Sequence, residues 1–220
     1  MTGEQKSNWQ KLSTLNHILN WPSGYIVEEL QSLEVDELID KIHQWNPLGV
    51  AGEARRFVDN KFYDEKIFVG KDEAVDTQIY IGKFGGDIAF MFCLEHDPST
   101  RTMHGSYGVV APEHQKSGIG VITVQVIEHQ AAALGCSVIS SYATLRHPYV
   151  QRLLEQRGYK PVGIFPDRDL EVDAQTGATV RVTEVLYVKQ LDFPEEPVSP
   201  DFKNMTPAVL ALHRLIFTGK

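Results

Sequence analysis

The sequence predicts an α/β domain built on one mixed sheet, with an antiparallel strand meander followed by a locally parallel strand pair. Three observations carry this prediction. Between residues 78 and 110, apolar runs alternate with glycine and polar turns, as in hairpin-linked strands. A helical stripe follows, with Gly120, Val124, Ile127, Ala131 and Leu134 at i, i+4, i+7, i+11 and i+14. A strand, helix, strand succession over residues 138–165 then makes a crossover, which implies a parallel pair.

Taken in order, Trp9, Leu12, Leu15, Ile18 and Leu19 have helical spacing within residues 8–19, and Trp21-Pro22-Ser23-Gly24 breaks the pattern. Residues 25–30 read as a first strand. Ser32 opens a helix through Leu33, Leu38, Ile39 and Ile42 that closes near Asn46-Pro47, and a second helix is predicted over residues 53–63. The meander comprises residues 78–84, a Gly85-Gly86 turn, residues 87–94 and residues 103–110, with Pro112 ending the pairing. The unbroken run 88–94 marks a central strand covered on both faces.

The helix from Gly120 stops at Gly135, and residues 138–144 form the next strand. Residues 148–157 form a short helix ended by Gly158, residues 159–165 a strand, 167–179 a polar loop and 180–191 a closing strand. A stiff connector, Pro194-Glu195-Glu196-Pro197-Val198-Ser199-Pro200, leads to a helix capped by Thr206-Pro207. The division expected is a helical arm over 1–24, the main domain over 25–192, and connector plus helix over 193–220. Both terminal helices are expected to pack on their own domain, with covering the acceptor site or swapping across a homodimer as the alternatives.

Composition narrows the function. A net charge of −8 with no concentrated Lys/Arg face argues against a nucleic-acid partner. Cys93 and Cys136 lie in apolar runs and read as buried free thiols, with neither a disulfide framework nor metal-ligand spacing. The polar start Met1–Lys6, followed by no long apolar core, predicts no signal peptide and no membrane span. A reducing cytoplasm is the expected compartment.

The informative unit is Val109-Val110-Ala111-Pro112-Glu113-His114-Gln115-Lys116-Ser117-Gly118-Ile119-Gly120, between a strand and a helix. Glycines at 118 and 120 let the backbone approach a ligand, and unpaired N–H groups at a helix start make an anion site. A Walker loop is excluded because Lys116-Ser117 follows Gln115 and precedes the glycine. A dinucleotide fingerprint is excluded because Thr123 stands where a third glycine is needed. Val-x-Pro-x-x-Gln-x-x-Gly-x-Gly after a strand resembles the GNAT acetyltransferase superfamily, and with the meander before it and the Arg157-Gly158-Tyr159 helix end after it the resemblance spans about residues 25–191.

The resemblance implies the acyl-CoA N-acyltransferase fold, with the two strands flanking the turn splayed apart. It also implies acetyl-CoA or another acyl-CoA as co-substrate, with no metal. The pantetheine arm would lie against Val109 and Val110, and the pyrophosphate on N–H groups of Gln115, Lys116, Ser117, Gly118, Ile119 and Gly120. A backbone N–H near Val110 would serve the developing oxyanion. Many relatives carry a tyrosine where this chain has Leu154, and an asparagine where it has His147. Two helical turns from Leu154, His147 is a candidate for touching the pantetheine or moving a proton.

His104 is the candidate base, facing the acceptor side if strict alternation holds from Val110 through Gly108 and Ser106. Tyr107 and Glu95 are lesser candidates, and His114 and Glu113 form a solvated rim. Asp64, Glu65, Asp72 and Glu73 read as a surface charge run that would attract a cationic amine. The leading function is acetyl transfer to a primary amine, small or on a protein, by direct attack in a ternary complex. A longer acyl chain, or an acyl-CoA sensor without turnover, are the alternatives; the missing tyrosine at Leu154 motivates the sensor.

Overall fold

Seven strands, β1 (Tyr25–Glu29), β2 (Thr77–Phe84), β3 (Asp87–Asp97), β4 (Thr102–Val110), β5 (Val138–Thr144), β6 (Lys160–Val172) and β7 (Thr179–Gln190), form one sheet in the order β1-β2-β3-β4-β5-β7-β6. The structure, a computed structural model, describes residues 9–15, 18–68, 75–192 and 198–217. Every neighbouring pair is antiparallel except β4 and β5, which run parallel. The mixed α/β sheet predicted from sequence is observed, but its parallel pair is not the one expected over residues 138–165: β7 inserts between β5 and β6, and the parallel neighbours are β4 and β5, joined through the helix Ile119–Ala133.

Among the described residues six helices accompany it: α1 (Leu12–Leu15), α2 (Val35–Trp45), α3 (Asn60–Lys66), α4 (Ile119–Ala133), α5 (Tyr149–Gln156) and α6 (Pro207–Phe217). Residues 88–94 of β3 are all buried because alternate side chains feed two cores. Phe90, Phe92 and Leu94 pack with Ile127 and Ala131 of α4 and with Leu12 and Leu15 of α1. Ile88, Met91 and Cys93 pack with Leu38 and Ile42 of α2, Phe57 and Tyr63. Both thiols are free and buried.

Three further expectations need correction. The helix predicted over 53–63 is a 3₁₀ turn, Glu53–Val58, followed by α3. Asp59 separates them in an extended conformation and accepts a hydrogen bond from the Lys61 N–H at 3.0 Å, so a capping residue restarts the helix. The polar loop predicted over 167–179 is mostly strand: β6 runs to Val172 and pairs Asp169–Val172 with Thr179–Val182 after a register shift. Only the tip remains a turn, held by the Asp173 carboxylate, which accepts from the Gln175 and Thr176 N–H groups. The first helix is short among the described residues, spanning Leu12–Leu15; Asn8, Asn16 and His17 lie outside them.

The arm nonetheless completes a core. Leu12, Leu15 and Leu19 are buried against the α4 face of the sheet. The fully buried Gln130 of α4 accepts from the Gln10 N–H at 3.0 Å and donates to the Gln10 carbonyl and the Tyr80 hydroxyl, each at 2.6 Å. α6 is different: it rests on β6, with Lys160 Nζ 5.8 Å from the Phe217 ring, and no residue in it is buried. Residues 194–197 of the expected connector lie outside the described residues.

Candidate active site

β4 and β5 pair only over Thr102–Gly105 and Val138–Ser141. Beyond this seam β4 stays on β3 as far as Val110, and β5 stays on β7 as far as Thr144. The two strands therefore diverge and leave a gap between residues 106–110 and 142–144. A bulge accompanies the divergence: Cys93 faces Tyr107 while Leu94 faces Gly105, so Ser106 is the extra residue that bends β4. The Ala111 N–H bonds to the Ala89 carbonyl at 2.9 Å, which turns the backbone polar groups of Val110 and Gly108 away from β3 and into the gap. Those of Val109 point to β3.

At the mouth of the gap, Pro112–His114 form a 3₁₀ turn and residues 115–118 lead into α4. Lys116 and Gly118 both have positive φ, 65° and 91°. Glycine adopts this conformation at no steric cost, and a Cβ at 118 would meet nothing within 4 Å. Among the described residues, the N–H groups of Lys116, Ser117, Gly118, Ile119 and Gly120 have no hydrogen-bond acceptor. Ser117 Oγ is buried and equally without a partner. Converging orphan donors at the N-terminus of a fifteen-residue helix suit a diphosphate. Gly120 has a packing role as well, since a Cβ there would lie 3.2 Å from Leu153 of α5.

The rim differs from its sequence reading. His114 Nδ1 is 2.6 Å from the Tyr25 hydroxyl, and its ring packs beside Tyr25 and Phe84, so the turn is fastened to β1. Glu113 is exposed.

The bulge at Ser106 also breaks the alternation on which the placement of His104 rested. Val110 packs with the α4-side core and Tyr107 and Val109 with the α2-side core. Beyond the bulge Met103 belongs to the α4 side, which leaves His104 on the α2 side. His104 Nδ1 lies 2.9 Å from Ser140 Oγ, and its ring meets the edge of Tyr142 at 5.7 Å. Burial holds the imidazole below its ordinary pKa, against the pull of Glu95 and Glu53, and so favours the neutral base. His104 also lines a cavity of about 310 Å³ with Asp76, Thr77, Glu95 and Asp97.

The other candidates fall in separate places. Tyr107 stacks on Phe57 at 4.7 Å and accepts from Asn46 Nδ2 at 3.1 Å, and burial raises its pKa. Glu95 pairs with Arg56 at 2.5 Å. His147 precedes α5, whose first residue is Tyr149, so it does not share a helix face with Leu154. It is exposed, its ring is 5.0 Å from that of Tyr149, and its carbonyl accepts from Gln151. Leu154 is buried in the α4-side core. Asp64 and Glu65 lie on α3, with Glu65 3.5 Å from Lys61, while Asp72 and Glu73 lie outside the described residues.

Sequence reasoning missed Ser140, Tyr142 and Arg168. The Arg168 guanidinium lies 3.5 Å from the centre of the Tyr142 ring and pairs with both Glu53 and Glu184. Ser140 and Tyr142 alternate along β5 on one face, a signal the sequence carried; Arg168 sat in what read as a loop.

Among the described residues, no group of three or more His, Cys, Asp or Glu side chains could hold a metal ion, and no helix is long and apolar enough to cross a membrane. A comparison with curated proteins finds no match. Solved structures share the fold at low identity. The chain is similar to a Bacillus subtilis acetyltransferase in complex with CoA (19% identity, 76% of this chain and 99% of that one, TM-score 0.54). It is also similar to a spermidine/spermine N-acetyltransferase from Vibrio cholerae (12%, 76% and 94%, TM-score 0.58) and to an IAA acetyltransferase from Bacillus cereus (15%, 76% and 99%, TM-score 0.51). The family model described as "Acetyltransferase (GNAT) family" matches residues 28–159, from the first strand through the gap, turn and α5 to Tyr159, and the chain belongs to that family.

Proposed function

We propose that this protein transfers an acetyl group from acetyl-CoA to a primary amine, by direct attack within a ternary complex. One observation carries the reading: a gap between parallel strands, lined by the unpaired backbone of Val110 and Gly108, opens onto a turn in which the N–H groups of residues 116–120 lack acceptors among the described residues. Residues 25–192 hold this machinery, with 1–24 and 193–220 as appended segments. Buried free thiols suit a reducing cytoplasm.

The pantetheine arm lies along Val109 and Val110, and the pyrophosphate sits on the N–H groups of residues 116–120 and the Ser117 hydroxyl; the Gln115 N–H, expected from sequence to join them, is taken by the Pro112 carbonyl at 3.3 Å. His147, exposed where β5 gives way to α5, touches the arm at the rim rather than delivering a proton inside. The thioester supplies an activated acyl group. The Val110 N–H donates to the carbonyl oxygen as it gains charge. His104, kept neutral by burial, takes the proton of the attacking amine. With Leu154 in the core, the Tyr142 hydroxyl is the group on the gap-lining strand that can protonate the departing thiolate.

Calorimetric titration with acetyl-CoA tests the reading, with wild type set against Gly118→Asp. Aspartate tolerates positive φ and places an anion where the phosphates belong. Wild type is expected to bind at micromolar levels, and the folded variant about 100-fold more weakly, or about 2.7 kcal/mol. Absence of binding by wild type sinks the proposal. Binding without thiol release on any amine would favour the sensor reading.

A further inference from the structure

We infer that the acceptor is a primary amine at the end of a slender chain, a small amine or an unstructured peptide end, and not a lysine on a folded protein surface. This rests on the acyl-transfer reading of the site. The reason is a bridge across the α2 face of the gap. The segment between α2 and the 3₁₀ turn reaches over to β6: the Val172 N–H bonds to the Leu48 carbonyl at 2.7 Å, and the Glu53 N–H bonds to Asp169 Oδ1 at 2.9 Å. Arg168 grips Glu53 at 2.7 Å and also pairs with Glu184. Its guanidinium covers Tyr142, whose ring in turn meets His104 and Phe165.

Read across the sheet, Glu53, Arg168, Tyr142 and His104 make an unbroken line from the α2 side to β6, β5 and β4. That line crosses the gap at Tyr142, the first β5 residue beyond the paired seam. A folded surface, tens of ångströms broad, cannot bring a lysine past such a cover to His104, whereas an extended alkyl chain has no such breadth to be obstructed. The closeness is built in at Gly52, where a Cβ would fall 1.9 Å from Asp169 Oδ1 and 2.6 Å from the Leu170 carbonyl. Any side chain at 52 pushes the two segments apart without touching β4, β5 or the turn.

The test compares three acceptors with acetyl-CoA, by thiol release and mass spectrometry: n-butylamine, an unstructured lysine-containing peptide, and folded lysozyme. Acetyl-CoA binding and transfer to at least one of the three are established first, so that failure of the acyl-transfer reading is seen separately. Wild type is expected to favour the amine or the peptide over lysozyme by at least about 100-fold in kcat/KM, with Gly52→Leu narrowing that ratio by at least about tenfold. The two slender probes tell a small-molecule acceptor from a chain end. Hydrogen exchange gives a readout independent of turnover: the Val172 and Glu53 amides are protected in wild type and lose protection in Gly52→Leu. Lysozyme acetylated as efficiently as the slender probes, a ratio unchanged in Gly52→Leu, or fast exchange at both amides in wild type would each overturn the inference, whereas acetyl-CoA binding with none of the three acetylated would overturn the acyl-transfer reading beneath it.

Discussion

The two faces of the sheet are built by different means for the ligands proposed for them. On the α4 face the proposed site is backbone: a short turn, two positive-φ residues and the start of one helix present N–H groups that no described residue accepts. On the α2 face the work falls to side chains drawn from distant strands, His104, Ser140, Tyr142 and Arg168, held by ion pairs and ring contacts. A backbone cradle serves any sequence that keeps its turn, and so suits a ligand shared by a whole family. A side-chain assembly depends on the identity of each residue, and so suits the discrimination of the proposed acceptor.

His104→Gln separates the two faces most sharply. Glutamine can still bond Ser140 but cannot take a proton, so kcat should fall by about 100- to 10,000-fold while calorimetric affinity for acetyl-CoA is unchanged. An equal loss of acetyl-CoA affinity would mean that the faces are not independent.

Gln130→Leu probes the α4 face away from the turn. It strands the Gln10 backbone groups and the buried Tyr80 hydroxyl, at a cost of about 2–4 kcal/mol, and should lower Tm on the order of 5–10 °C. Acetyl-CoA affinity should hold, because Gln130 lies near the far end of α4 from the turn.

The smallest effect is one of pH. Burial lowers the pKa of both His104 and His96, so in acid the unfolded chain binds more protons than the folded one. Stability from these groups is complete above about pH 6.5, declines as pH falls through that value, and levels off below the folded pKa values. Thermal melts between pH 7.5 and 5.5 should show a Tm fall on the order of a few degrees, shallower in His104→Gln. An identical slope in wild type and variant would remove His104 from this account.

The same contrast explains what could be read from sequence. The turn was legible because its function is local: strand, glycines and helix start lie within twelve consecutive residues. The divergence of β4 and β5 followed from the same motif. The facing of His104 was not legible, because a one-residue bulge at Ser106 inverts the alternation beyond it and nothing in Gly105-Ser106-Tyr107 announces a bulge. Nor was Arg168. Residues 167–172 are polar and read as loop, yet pairing with β7 and bonds to residues more than a hundred positions earlier make them strand and cover. Long-range partners override local polarity there.

The clasp between Gln10 and Gln130 sets an order on biosynthesis. Gln10 leaves the ribosome 120 residues before the amide that will hold it. Until α4 has been made, Leu12, Leu15 and Leu19 have no α4-side core to enter, and the nascent chain carries an exposed apolar segment. A segment translated well before its partner thus settles only after that partner, and for that interval its leucines stay open to other apolar surfaces.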